Sequence, residues 1–266
     1  MNVREELLTH GLSVGYALYE KCPYGSGVYP LGEDLVVKAE LVGTSDHRDR
    51  MKKEGINMAW MALHAVGPTI VDSGSISVSL DGEQQAVLYT VMEKYMVDLG
   101  TLSVLNKNMP STPLDHTAGW LINKLFKNTA YKARMLLTDL KPQNIVANLD
   151  LIIGPRASGH VRVASVLLID FGPEFCLPLP HDVSARVAYL AMLLLYSAIS
   201  VALGYKECAE IVSPFIRRCS REDIQLTVEW MDTQSVVQRA VRHYTSAQTA
   251  SELYASGFSV AKTAIQ

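Results

Sequence analysis

Thr138-Asp139-Leu140-Lys141-Pro142-Gln143-Asn144 and Leu168-Ile169-Asp170-Phe171-Gly172 are the two stretches on which the reading of this chain turns. The first sets a carboxylate, an ammonium and an amide within six positions. The second sets another carboxylate on a tight, glycine-ended turn. Each follows an apolar run, Met135-Leu136-Leu137 and Val166-Leu167-Leu168-Ile169, so each leaves a short buried strand. Alone, Asp-x-Lys-Pro is an ordinary surface turn and Asp-Phe-Gly says little. In this order they supply what phosphoryl transfer from a nucleotide needs. A carboxylate receives a hydroxyl proton, cations offset developing charge, and oxygens bind magnesium.

The 266 residues are 48% hydrophobic and 19% charged, a composition that excludes a disordered chain and is long enough for two lobes around a cleft. A net charge of −3 offers no electrostatic case for a nucleic-acid partner. Cys22, Cys176, Cys208 and Cys219 lack Cys-x-x-Cys spacing and read as reduced, partly buried thiols rather than a zinc site or disulfide framework. Met1-Asn2-Val3-Arg4-Glu5-Glu6 has acidic residues and no apolar core, so it is no secretory signal, and an intracellular, cytoplasmic location is expected. Val187 to Tyr205 carries no charge and approaches the length of a membrane span. Ser197 and Ser200 interrupt it, and it is read as a buried core helix, with no membrane association expected.

Strand signals come first along the chain. Residues 12–19 alternate loosely, 22–27 form a turn-rich break, and Leu35-Val36-Val37 is a short strand delivering Lys38. A helix is predicted over 48–65, with Met51, Met58, Met61 and Ala62 near one face and Gly67-Pro68 as its stop. Residues 69–80 and 86–92 read as a hairpin turning at Asp81-Gly82. Helices follow over about 98–107, 114–134, 182–203, 207–217, 221–243 and 250–262. This order predicts an α+β chain, with an N-terminal lobe over 1–93 and a helical lobe over 94–266.

Asp-Leu-Lys-Pro-x-Asn followed by Asp-Phe-Gly closely resembles the protein-kinase signature. The resemblance implies a two-lobed protein kinase-like fold: a mainly β N-lobe, one helix packed on it, and a reduced helical C-lobe. It implies ATP with magnesium, or manganese, as cofactors. By the same resemblance Asp139 receives the acceptor's proton, Lys141 approaches the transferring phosphoryl group, and Asn144 and Asp170 hold the metal. Lys38 would hold the α- and β-phosphates, partnered by Glu54 on the following helix; a solvated face beside Lys52 and Lys53 is the plainer reading of Glu54. Glu40 is too close along the strand to be that partner. Gly25 and Gly27 match the first two glycines of the phosphate-covering loop, with Pro30 in the third place, and a plain turn fits them equally well. Backbone groups from Glu93 to Tyr95 would meet the adenine edge, Val37, Met92 and Ile169 would wall it, and Asp98 would reach the ribose.

The resemblance has gaps. Leu137-Thr138 stands where kinases have His-Arg, which argues against control by activation-loop phosphorylation. The segment after Gly172 is short, no Ala-Pro-Glu follows it, and about a dozen extra residues precede Asp170. This profile resembles divergent, compact kinases such as those of large DNA viruses. The expected activity is transfer of the γ-phosphoryl group of Mg-ATP to serine or threonine hydroxyls of a protein substrate. A small-molecule kinase of related fold and a nucleotide-binding pseudokinase are the competing readings.

Overall fold

The computed structural model describes residues 2–21, 26–80, 82–106, 113–153 and 159–244. The chain forms two compact units, Met1–Tyr95 with Asp170–Pro173, and Met96–Ile169 with Glu174–Gln266. The predicted helix at 250–262 lies outside the described residues.

The first unit is an antiparallel sheet in the order β1-β2-β3-β5-β4. Its strands are β1 (Tyr19–Lys21), β2 (Ser26–Leu31), β3 (Leu35–Val42), β4 (Ile70–Leu80) and β5 (Glu83–Glu93). β4 and β5 join through Gly82 at φ 83°, a left-handed conformation that glycine adopts without steric cost. Residues 12–19 do not form the expected strand; only an isolated bridge, Val14 to Leu31, is made before β1. Proline explains the difference: Pro30 has no N–H to offer a neighbouring strand, and its carbonyl alone accepts, from Gly15 N at 2.8 Å.

Strand periodicity assigns the two faces of β3. Val36, Lys38 and Glu40 face helix α2 (Ser45–Leu63), which Thr44 caps by accepting from His47 N at 3.2 Å. Leu35, Val37, Ala39 and Leu41 face a core with Ile76, Val78, Val87 and Val91. Helix α1 (Val3–Thr9), which has no counterpart in the sequence reading, closes that core with Val3 and Leu7, both fully buried. A seven-residue helix is not stable by propensity. Burial of the two side chains, about 1.5–3 kcal/mol each, holds it in place, and Arg4 Nε anchors it to Gly15 O at 2.9 Å.

The second unit is mainly helical. α3 (Leu99–Asn106), α4 (His116–Lys127, continuing as a π-helical turn over Asn128–Lys132), α5 (Ala185–Ala202), α6 (Lys206–Arg217), α7 (Arg221–Thr233) and α8 (Ser235–Tyr244) follow β6 (Val97–Asp98). The single helix read over 221–243 is two, broken at Gln234, whose extended backbone (φ −93°, ψ 107°) ends α7. By length and composition α5 could cross a membrane, but 56% of its 18-residue window is buried inside the unit. It packs against α4, α6 and α7. Gly119 lets α4 lie directly on α6, since a Cβ there would stand 2.1 Å from Ile211 O.

The extra residues before Asp170 are not a plain loop. They form a hairpin, β8 (Ile145–Ile153) and β9 (Gly159–Leu168), joined to β6 in a three-stranded sheet. Burial pushes the thiols of Cys176 and Cys208 up, to about 12 and about 11, in keeping with a packing role.

Candidate active site

In the first unit the sequence-predicted Lys38, Glu54 and Asp170 converge. Lys38 is delivered by β3 onto the α2 face, where its Nζ bonds Glu54 Oε1. Glu54 is buried on the sheet side of its helix, while Lys52 and Lys53 are exposed. Asp170 Oδ1 lies 3.7 Å from the same Nζ. Burial drives the Lys38 ammonium towards neutrality, but Glu54 and Asp170 outweigh it and hold its pKa above the ordinary lysine value. Glu40 shares this face instead of turning away from it, because it lies two residues from Lys38. His47 Nε2 engages its carboxylate at 3.0 Å.

Asp170 has φ 66°, a left-handed backbone that costs a non-glycine residue about 1–3 kcal/mol and is met chiefly at functional sites. Two contacts hold it there, both missed by the sequence reading. Asn57 Nδ2 donates to Phe171 O at 3.1 Å. The Phe171 ring is buried against Gly67, where a Cβ would meet it at 2.9 Å. One helix, α2, thus positions both Glu54 and the Asp-Phe-Gly turn.

In the second unit, β7 (Met135–Leu137) is entirely buried and pairs with β10 (Cys176–Pro178). It delivers Asp139, 8% exposed, into a loop that Pro142 closes as a 3-10 turn. Asn144 Nδ2 donates to Asp139 O and Oδ2, both at 2.9 Å, and Lys141 Nζ reaches Oδ2 at 3.3 Å. With its Nδ2 engaged, Asn144 keeps Oδ1 as an acceptor for a cation. Thr138, in the place of the kinase arginine, gives its N–H to Phe175 O at 2.9 Å. Backbone pairing therefore ties the short segment after Gly172 to the start of the Asp139 loop, without any phosphate. Arg134 adds two bonds, to Pro180 O and Val183 O, both at 3.3 Å.

The nucleotide-contact residues are placed less completely. Gly25 lies outside the described residues. Gly27 stands within β2, opposite Ala39. Glu93 N donates to Thr69 O at 3.1 Å and Lys94 N to Asp34 O at 2.8 Å, so neither N–H is open to a base; Tyr95 closes the unit. Val37 belongs to the core under α1, opposite the Lys38 face, which Val36 shares. Asp98 caps α3, accepting from Thr101 N at 2.8 Å and Thr101 Oγ1 at 2.6 Å.

Magnesium takes few protein ligands and keeps water and phosphate oxygens for the rest. The half-exposed Asp170 carboxylate is a donor of that kind in the first unit, and the Asn144 amide oxygen is one in the second. Among the described residues no group of three or more His, Cys, Asp or Glu gathers as a metal site.

Removing one partner of a buried pair leaves the other uncompensated. Lys38→Met is expected to destabilise the chain by about 2–3 kcal/mol, less than a fully buried pair because Lys38 is partly exposed. Lys38→Met combined with Glu54→Leu is expected to recover most of that loss, measured by urea unfolding. Because the folded pKa of Lys38 is raised, the pair's contribution is complete below the ordinary value of 10.5 and fades as pH rises through the folded value. The wild-type advantage over Lys38→Met should therefore hold constant from about pH 7 to about pH 10 and shrink only above that.

The first unit is mainly β, with Lys38 on β3 and Glu54 on α2, and the second is mainly helical and carries the Asp139 loop. No protein-family model matches the sequence, and no curated protein does. Among solved structures the chain is similar to WaaP in complex with acyl carrier protein, at 17% identity over 94% of this chain and 92% of that one, with a TM-score of 0.45. It is also similar to a Plasmodium kinase domain, at 11% identity over 93% of this chain and 89% of that one, with a TM-score of 0.44.

Proposed function

We propose that this chain transfers the γ-phosphoryl group of ATP to serine or threonine hydroxyls of protein substrates. The observation that carries the reading is the convergence of Lys38, Glu54 and Asp170 on one face of the first unit. A structural salt bridge needs one carboxylate. Here a buried Glu54 fixes the ammonium while a second, half-exposed carboxylate is held beside it on strained backbone, as a phosphate and metal site requires.

In this reading Lys38 binds the α- and β-phosphates, and Glu54 keeps its ammonium charged and aimed. Backbone groups between Glu93 and Tyr95, other than the N–H groups of Glu93 and Lys94, meet the base, and Gly25 and Gly27 admit close approach to phosphate. Magnesium, when bound by Asp170 and Asn144, would neutralise charge on the phosphates. Asp139 orients the acceptor hydroxyl and takes its proton, and Lys141 offsets charge developing on the transferred group. Lys141 beside Asp139 supports a protein acceptor.

A small-molecule acceptor is the second reading, favoured by the brevity of the segment after Gly172. Only Pro173–Ser184 separates it from α5, and β10 ties part of that segment to β7, leaving little platform for a peptide. Radiolabelled ATP incubated with the chain in a cell extract, then partitioned into protein and small-molecule fractions, tests the choice. Label in protein serine and threonine is expected; label confined to small molecules would transfer the assignment to the second reading. Asp170→Asn is expected to abolish either.

A further inference from the structure

Tyr244 donates its hydroxyl to Oδ1 of Asp139. The other carboxylate oxygen, Oδ2, already receives Asn144 at 2.9 Å and Lys141 at 3.3 Å. The remaining oxygen of Asp139 thus holds a hydroxyl, the group a phosphoryl acceptor presents to its base. It arrives from 105 positions downstream, on the last residue of α8.

The placement is built into the helix. Val237, Ala240 and Val241 are buried and lie seven, four and three positions before Tyr244, on the same helical face. α8 packs that face against α5 and α7, which carries the ring to the catalytic loop. A half-buried tyrosine needs a partner for its hydroxyl in any setting. The choice of partner is what matters here: among the described residues Asp139 is otherwise engaged by its own loop, and it is 8% exposed.

Resting on the phosphoryl-transfer reading above, we propose that Tyr244 is this chain's own phosphoacceptor and occupies the acceptor position until it is phosphorylated. The phenol O–H bond breaks and its proton passes to Asp139. The phenol oxygen bonds to the γ-phosphorus of ATP as the bond from that phosphorus to the β–γ bridging oxygen breaks, and ADP leaves. The phosphotyrosine formed carries a charge of about −1.5 to −2 next to a carboxylate. Like-charge repulsion drives the end of α8 off Asp139 and opens the position to other acceptors.

The test is incubation of the full chain with Mg-ATP, with dephosphorylated casein as external acceptor, followed by mass-spectrometric mapping over a tenfold range of enzyme concentration. Phosphate on Tyr244 is expected, with a half-time independent of concentration, and Asp139→Asn should slow it by at least about a hundredfold. Transfer to casein should show a lag in the wild type that Tyr244→Phe lacks. Transfer to casein, or to any other residue of the chain, with Tyr244 unmodified overturns this proposal alone. So does a Tyr244 rate that rises in proportion to enzyme concentration. Absence of transfer to any acceptor removes the phosphoryl-transfer reading itself, and this proposal with it.

Discussion

Asp139→Asn is expected to lower the rate of phosphoryl transfer at saturating ATP by about 10²–10⁴-fold, the range for loss of a positioned general base. The substitution keeps the side chain's shape. Its amide oxygen can still accept from Asn144 and Lys141, as Oδ2 does now at 2.9 Å and 3.3 Å. That orientation turns an NH2 group to the position where Oδ1 faces a hydroxyl, and an amide has no basic site for the proton. Lys141 loses a counter-charge, but it is partly exposed, so the cost in stability is about 1 kcal/mol or less. ATP affinity should hold, because Lys38 and Asp170 are untouched. Steady-state kinetics with a urea melt as control checks all three expectations. An unchanged kcat would remove Asp139 from its role, whereas a lost fold would show in the melt.

A second expected effect on stability, from backbone packing, is at Gly119. In an open helix, glycine to alanine gains about 0.5–1 kcal/mol. At Gly119 the new Cβ would stand 2.1 Å from Ile211 O and 3.0 Å from its carbonyl carbon, both backbone atoms of α6. A helix backbone cannot swing aside as a side chain can, so α4 and α6 must separate. Overpacking of this kind costs about 1–3 kcal/mol and outweighs the propensity gain. Gly119→Ala is therefore expected to lower Tm by about 2–4 °C for each kcal/mol lost. Gly55, within α2, has nothing within 4 Å of the same position, so Gly55→Ala should raise Tm. A Tm rise for both variants would mean that α4 and α6 do not meet as described.

Several elements were legible because a local cause produces them. The β4–β5 hairpin follows from its glycine turn, and α2 from its apolar spacing and the Gly67-Pro68 stop. Lys38 and Glu54 were paired through the family resemblance, with strand and helix context choosing the residues, and Asp139, Lys141 and Asn144 lie within one six-residue stretch. Other features carry no local signal. α1 is too short to form without the sheet it covers. The β8–β9 hairpin was read only as extra residues before Asp170, with no strand assigned to them. Glu40 was read by its distance along the strand and Val37 by the family resemblance, neither of them by strand face.

The local groupings of motif residues were legible in the sequence itself, since residues a few positions apart need only a turn or strand to meet. Tertiary structure alone decided the rest. It brought Asp170 to Lys38 across 132 positions, trapped Phe171 beneath α2, and set the hydroxyl of Tyr244 on Asp139. Those contacts depend on how helices and strands pack, and packing is set by shape over many residues at once. No short stretch of sequence records it.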